Sequence, residues 1–276
     1  MAKQRSKPKN ARQRSFKRSY HEDYYRETSL PGITEHVVKS FSVLTKNYKI
    51  FLPLLIVIVI ISIATVGLNG IIDQISTVIF ATLIFLIIWL TTIFALRHVL
   101  AKHQLTFRDA LYNAMTPLLS VFVVLLVIAV QCLPITILIV AYSAAVETDF
   151  LSMPFYALLF FVFALLMILM SGYMLSSSLV ALVAVTAPGL YPLVALKNAS
   201  DLMTGQRIKF ILRLIALAVL VVLVWAIIVL PLKVIGAPET AVAVVQTIVF
   251  CACFMYITTY LYLYYRWMLD AENMLK

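Results

Sequence analysis

The chain has 276 residues, of which 63% are hydrophobic and 12% are charged, and its formal net charge is +10. Soluble domains are about half apolar and about a quarter charged, so this composition excludes an ordinary soluble globular protein. Apolar runs of about 18 residues or more recur along the chain, and about 20 apolar residues span a bilayer core. The runs do not alternate apolar and polar residues, as the strands of a membrane β-barrel do. The sequence therefore predicts an all-α, polytopic transmembrane helical bundle.

Residues 1–30 are polar and basic and show no apolar period, and we interpret them as a disordered cytoplasmic tail. Near an anionic leaflet each basic side chain gains about 1 kcal/mol, so the tail is a candidate surface for the anionic headgroups of the bilayer. The alternatives are contact with RNA and a solvated tail that only determines topology. No aromatic stacking pattern accompanies it, so no specific nucleic acid is expected as a partner. The candidate surface consists of Lys3, Arg5, Lys7, Lys9, Arg12, Arg14, Lys17 and Arg18.

Six apolar runs follow within a predicted membrane domain of residues 31–268, and residues 269–276 are predicted to form a short cytoplasmic tail. The fourth run contains the polar segment SGYMLSSS (residues 171–178) and would extend roughly 50 Å as one helix, beyond the roughly 30 Å hydrocarbon core. It either bends at this segment or projects past the lipid. The predicted spans are 50–68, 75–96, 118–142, 155 to the turn at 187–189, 208–230 and 241–265.

Basic residues alternate between the two sides of these predicted spans. The segment before the first span is strongly basic, and the loops after the second and fourth spans also carry Lys and Arg. The loops after the first and third spans carry neither, and the fifth loop has Lys233 against Glu239. Because basic loops stay in the cytoplasm, both termini are predicted to be cytoplasmic, in a multi-pass protein of the plasma membrane.

Each segment before an odd-numbered span carries apolar residues at helical spacing. The chain can therefore be interpreted as three copies of one unit, an amphipathic segment followed by a two-span hairpin. The alternative is that any membrane hairpin needs a basic, amphipathic start. The apolar faces are expected to meet the acyl region or the bundle, and in the third copy Lys197, Asn198 and Asp201 should face water. The aligned apolar positions are Val37, Phe41 and Leu44, then Ala110, Ala114 and Pro117, then Ala195, Ala199 and Leu202.

The third copy, within APGLYPLVALKNASDLMTGQRIKF (residues 187–210), has a recognisable pattern. A long helix ends at a Pro-Gly turn, an AL-x-x-A helix with L-x-x-G follows, and a basic residue precedes the next span. This pattern resembles poorly characterised bacterial integral-membrane proteins similar to the membrane domain associated with glycerophosphodiester phosphodiesterases. Ile208 stands where an aromatic residue is usual, and the resemblance implies a membrane fold rather than a reaction. The residues that carry it are Pro188, Gly189, Ala195, Leu196, Ala199, Leu202, Gly205 and Arg207.

The sequence shows no motif of a catalytic, cofactor or metal site. H-E-x-x-H, G-x-S-x-G and P-loop patterns are all missing from it. We interpret His98 and His103 as solvated loop residues, and Cys132, Cys251 and Cys253 as small hydrophobic side chains inside apolar runs. We therefore predict a protein that is not an enzyme and that needs no cofactor or metal.

Three polar residues within the spans are candidates for an intramembrane cavity: Gln131, Ser176 and Gln246. The alternative is that such groups form hydrogen bonds between helices, with Pro134 kinking the third span. The sequence thus favours a non-enzymatic accessory or scaffold protein that interacts with lipids or other membrane proteins. The alternative function is a small-molecule or lipid transporter built around the cavity.

Overall fold

The computed structural model describes residues 32–68, 74–101, 107–148, 152–187 and 189–275. These residues form nine α-helices and no strand, which confirms the predicted all-α bundle. The helices are α1 Ile33–Lys46, α2 Tyr48–Leu68, α3 Gln74–Leu100, α4 Phe107–Ala114, α5 Leu118–Glu147, α6 Pro154–Ala184, α7 Pro192–Leu202, α8 Arg207–Val234 and α9 Glu239–Leu275.

Six of these helices (α2, α3, α5, α6, α8 and α9) are long and apolar enough to cross a membrane. They coincide with the six predicted spans, so the chain is a multi-pass membrane protein. Helices suit such apolar segments because each satisfies its own backbone hydrogen bonds where lipid offers none. The last helix is longer than predicted, since α9 continues to Leu275 and takes in most of the predicted C-terminal tail.

The three units predicted from sequence appear as three groups of one short and two long helices, α1–α2–α3, α4–α5–α6 and α7–α8–α9. The two long helices of each unit pack as a hairpin, and each short helix packs against the last helix of another unit. Thus α4 contacts α3, α7 contacts α6, and α1 contacts α9, which closes the units into a ring. The short helices share one end of the bundle, here named the basic end, with Lys39, Arg97, Arg207, Lys209, Arg213 and Arg266.

Two of the short helices dock through the predicted alanines. Ala110 and Ala114 of α4 are buried, as are Ala195 and Ala199 of α7. Small side chains allow close approach between helices, so these pairs set how tightly α4 and α7 meet their neighbours. The predicted polar face of α7 is confirmed, because its exposed residues include Lys197, Asn198 and Asp201.

The first short helix docks through a different face. Its buried residues are His36 and Ser40, whereas Phe41 is 62% exposed and Val37 is only partly buried. The Ser40 hydroxyl donates to the His36 carbonyl at 2.8 Å, so this buried hydroxyl has a hydrogen-bond partner within the contact with α9. The repeat alignment therefore does not extend to the docking face of α1, where an imidazole and a hydroxyl replace two alanines.

Helix α6 continues unbroken through the polar segment at residues 171–178. Its 31 residues correspond to a length of about 46 Å. All its buried residues lie between Ser171 and Ala184, and the first half of the helix is exposed. The polar segment therefore does not interrupt the helix, but marks the point where α6 enters the protein interior.

Glycines at both ends of α7 have left-handed backbone conformations. The φ angle is 81° at Gly189 and 76° at Gly205. A Cβ atom added at either position would meet no atom within 4 Å, so conformation rather than space requires glycine there. These two residues belong to the sequence pattern described above, and they set the direction in which the chain enters and leaves α7.

Candidate functional site

A lateral groove runs along the membrane-spanning part of the protein between α2 and α8, with α9 as its floor. It lies between two helices that pack closely on α9 but at most weakly on each other in the described part of the chain. The groove consists of two cavities of about 690 Å³ and 590 Å³, which share Val221 of α8 and Cys253 of α9. Each volume lies in the range of about 300–1,000 Å³ that is typical of ligand sites.

The half of the lateral groove nearer the basic end is apolar. Two of its polar groups are satisfied within the protein, because the Thr45 hydroxyl donates to the Phe41 carbonyl at 3.1 Å and the Tyr256 hydroxyl donates to the Val37 carbonyl at 3.0 Å. The third, the hydroxyl of Tyr48, belongs to a side chain that is 56% exposed. A hydrocarbon chain can therefore lie in this half without burying an unpaired polar group. The apolar lining includes Leu44, Leu52, Leu55, Leu220, Val224 and Met255.

The other half of the lateral groove contains Gln246, one of the predicted cavity residues. The neighbouring hydroxyls are engaged within the protein. The Ser62 Oγ atom lies 3.6 Å from the Cys251 sulfur, and the Thr247 hydroxyl donates to the Ala243 carbonyl at 2.9 Å. The amide of Gln246 and the indole N–H of Trp225 are therefore the lining groups best placed to form hydrogen bonds with a ligand.

The structure does not bring the other two predicted cavity residues to this groove. The Ser171 hydroxyl of α6 donates to the backbone carbonyl of Gln131 in α5 at 2.7 Å, which joins the two helices. The Gln131 Oε1 atom is buried and has no hydrogen-bond partner among the described residues. The Ser176 hydroxyl donates to the Tyr173 carbonyl of its own helix at 2.7 Å. Of the three candidates, only Gln246 lines the lateral groove.

Other predicted features fall elsewhere. The basic residues of the candidate lipid surface, all within residues 1–30, lie outside the described residues, as does His103. His98 lies on α3 rather than in a loop and is half-buried, and its Nδ1 atom is 3.0 Å from the Phe94 carbonyl. The predicted placement of His98 in a loop is therefore wrong. The three cysteines are free thiols, and Cys251 is buried as predicted.

At the basic end, His36 holds α1 against α9 in a way that the sequence did not indicate. The ring is 1% exposed, stacks on Trp267 with centroids 5.1 Å apart, and meets the ring of Tyr260 edge-on at 4.3 Å. The Nε2 atom lies 3.1 Å from the Tyr260 carbonyl oxygen, so Nε2 carries the hydrogen and donates. Burial lowers the pKa of His36 to about 4, against the raising effect of this hydrogen bond, and the charges of Arg213 and Lys39 lower it further. A neutral imidazole therefore fits this site.

A cavity of about 580 Å³, separate from the lateral groove, lies at the basic end where α3, the α4–α5 turn and the end of α6 meet. Arg97 is fixed at its wall, because its guanidinium donates to the Thr186 carbonyl at 3.0 Å and to the Thr186 hydroxyl at 3.1 Å. These bonds also place a positive charge at the carbonyl end of α6, where it is favourable. We name it the Arg97 cavity, and its other polar lining residues are His98, Asn113, Thr116 and Ser120.

Comparison with protein-family models, curated proteins and solved structures finds no match to the chain. The resemblance carried by residues 188–207 therefore stays a prediction. What the protein binds has to be inferred from its cavities and from the side chains that line them.

Proposed function

We propose that this chain is a non-enzymatic accessory or scaffold protein of the plasma membrane that holds lipid acyl chains in the lateral groove. The observation that carries the proposal is the position of the groove, which is open at its side among the membrane-spanning helices and mainly apolar. An empty apolar gap forfeits dispersion contacts along its walls. The hydrocarbon chains of the surrounding bilayer are the molecules best placed to supply those contacts.

A second surface supports a scaffold role toward other membrane proteins. The first half of α6 exposes large apolar side chains, and α5 packs mainly against α6 and α7. This hairpin therefore extends an apolar face that lipid or a helix of another membrane protein can cover. The exposed side chains include Phe155, Leu158, Leu159, Phe161 and Leu165.

The test of the lateral groove is Val221→Trp. The indole should fill the point where the two cavities meet, so cross-linking of a phospholipid with a photoreactive acyl chain to α9 should fall several-fold. Peptide mapping of the cross-linked protein measures this. The control is Val219→Trp, because Val219 is exposed on the same helix and does not line the groove. Equal cross-linking in both variants would show that acyl chains do not occupy the groove.

A transporter is the second candidate function, and the placement of Gln246 in the 690 Å³ cavity is the observation that favours it. A transport path must admit water or a polar solute to this residue. Labelling of Gln246→Cys, with the three native cysteines replaced, distinguishes the two functions. A scaffold that holds acyl chains predicts no reaction with membrane-impermeant reagents from either side, whereas a transporter predicts labelling.

We also propose that the basic end faces the cytoplasm, with both termini on that side. The support is the alternation of basic residues, because Lys and Arg are retained on the cytoplasmic side during insertion. A topology reporter fused to either terminus should therefore be active only in its cytoplasmic form. A reporter inserted at Gly236, in the α8–α9 connection, should show the opposite location. The same location at both sites would refute the six-span orientation.

A further inference from the structure

We propose that the Arg97 cavity binds an amphiphile with a phosphate headgroup, and that the phosphate lies against Arg97 and the polar residues beside it. This site is separate from the lateral groove. Among the described residues, the two sites have no lining residue in common. Helix α3 lines the lateral groove with Val78, Ala81 and Phe85, but it lines the Arg97 cavity with residues between Leu90 and His98. None of the described residues that line the cavity lies on α2, α8 or α9. The proposal therefore goes beyond the binding of acyl chains and specifies a headgroup.

The charge and donors of the cavity favour an anion. Arg97 is held in one orientation by two hydrogen bonds to Thr186, which use two of the five N–H donors of a guanidinium. The remaining donors can serve a ligand, and planar guanidinium groups are well suited to phosphate oxygens. The described lining contains no Asp or Glu that would oppose an anion. The hydroxyls of Thr116 and Ser120 add neutral hydrogen-bonding groups at the same cavity. The amide nitrogen of Asn113 donates one hydrogen to the backbone carbonyl of Asp109 at 3.0 Å and has a second N–H for a ligand.

The lining of the cavity changes from apolar to charged and polar along α3, as the binding of an amphiphile requires. Leu90 and Ile93, both buried, line its inner part, and Arg97 and His98 line the part nearer the end of the helix. Residues 90 and 98 are separated by about 12 Å along a helix. A headgroup at Arg97 would therefore place an attached hydrocarbon chain beside Leu90 and Ile93, where a free inorganic ion would leave apolar walls uncovered.

The start of α5 contributes to the same electrostatic pattern. Pro117 is the N-cap of this 30-residue helix and forms no side-chain cap, and both Pro117 and Ser120 line the cavity. The amino end of a helix carries a partial positive charge that favours anions. It adds to the positive potential that Arg97 gives the same cavity.

The experiment uses the full chain in nanodiscs of zwitterionic lipid, with short-chain phosphatidic acid as the probe and native mass spectrometry to count bound molecules. Raised salt screens exposed charges, so it suppresses non-specific attraction by the basic residues of the N-terminal segment. We expect Arg97→Gln and Ser120→Phe each to weaken retention of phosphatidic acid at least tenfold. Leu119→Phe is the matched control, because Leu119 is 74% exposed and does not line the cavity.

Two further comparisons keep the result decisive if a variant is poorly folded. Arg97→Lys keeps a positive charge at the cavity wall, so it should retain more phosphatidic acid than Arg97→Gln. Equal loss of binding in Arg97→Lys and Arg97→Gln would show that the charge of residue 97 does not hold the phosphate, and would overturn the proposal. Wild-type retention in both Arg97→Gln and Ser120→Phe would overturn it as well.

Competition experiments distinguish a phospholipid headgroup from a free phosphate ion as the ligand of this cavity. Inorganic phosphate and glycerol phosphate should displace the probe only at far higher concentrations than phosphatidic acid, because they cannot cover Leu90 and Ile93. Diacylglycerol of the same chain length should bind weakly, since it lacks the anion. Equal affinity for inorganic phosphate would overturn the assignment to an amphiphile, and equal affinity for diacylglycerol would overturn the role of the anion. The loss of phosphatidic acid caused by Arg97→Gln should be the same with and without Val221→Trp, which separates this site from the lateral groove.

Discussion

Lowering the pH from 7 to 4 should progressively loosen the docking of α1 on α9, and His36→Gln should remove most of this dependence. The pKa of buried His36 is lowered from 6.5 to about 4, so the undocked helix binds a proton more readily than the docked one. Docking is therefore fully favoured above the ordinary pKa and is lost as pH falls toward the lowered value. One proton contributes about 1.4 kcal/mol for each pH unit within this window. Protection factors from hydrogen exchange of α1 amides measure the change.

The control for this prediction is His98→Gln, which should leave the pH dependence of α1 intact. The charges of Arg213 and Lys39 act on the imidazole of His36 and add to the lowering of its pKa by burial. A further result would contradict the prediction directly. If α1 protection fell by the same amount between pH 7 and pH 4 in His36→Gln as in the native chain, another group would be responsible.

Ala199→Trp should strongly destabilise the protein, because it places an indole where α7 packs against the interior. Ala199 is 0% exposed and belongs to the main buried cluster, and α7 packs closely on α6. Overpacking of a filled contact costs about 1–3 kcal/mol or displaces the smaller element. We expect a clearly lower Tm in detergent together with faster hydrogen exchange throughout α7.

The matched control on α7 is Leu193→Trp, since Leu193 is 74% exposed and its replacement meets no packed neighbour. This variant should keep a Tm close to that of the native chain. Ala199→Ser, a small change in volume, should fall between the two. An unchanged Tm in Ala199→Trp would mean that α7 is not held by its alanine face.

The sequence predicted those features of the fold that are specified by a short stretch of the chain. Each span is specified by its own apolar length, so six helices could be predicted without knowing how they pack. The alanine faces of α4 and α7 follow from helical periodicity for the same reason. The ends of the helices were harder to predict, because a helix does not have to end where its apolar run ends. Helix α9 continues past the predicted end of its span at residue 265 to Leu275.

The sites were less accessible to prediction because they depend on distant partners. His36 and Tyr260 are 224 positions apart, and Arg97 and Thr186 are 89 apart. Nothing near His36 in the sequence distinguishes a buried imidazole from a solvated one. Likewise Gln131 and Gln246 are both polar residues in apolar runs, and only the gap between α2 and α8 makes one of them a cavity residue.

The contact of α1 with α9 constrains the order in which the protein can be made. Helices leave the ribosome from the amino end, so α1 is synthesised first, whereas its partner is synthesised last. The neighbouring units can form their α3–α4 and α6–α7 contacts as the chain grows, but the imidazole of His36 has no aromatic pocket until α9 has been inserted. A chain stopped before residue 260 would therefore leave α1 undocked, and the docking of α1 reports that the last helix is in place.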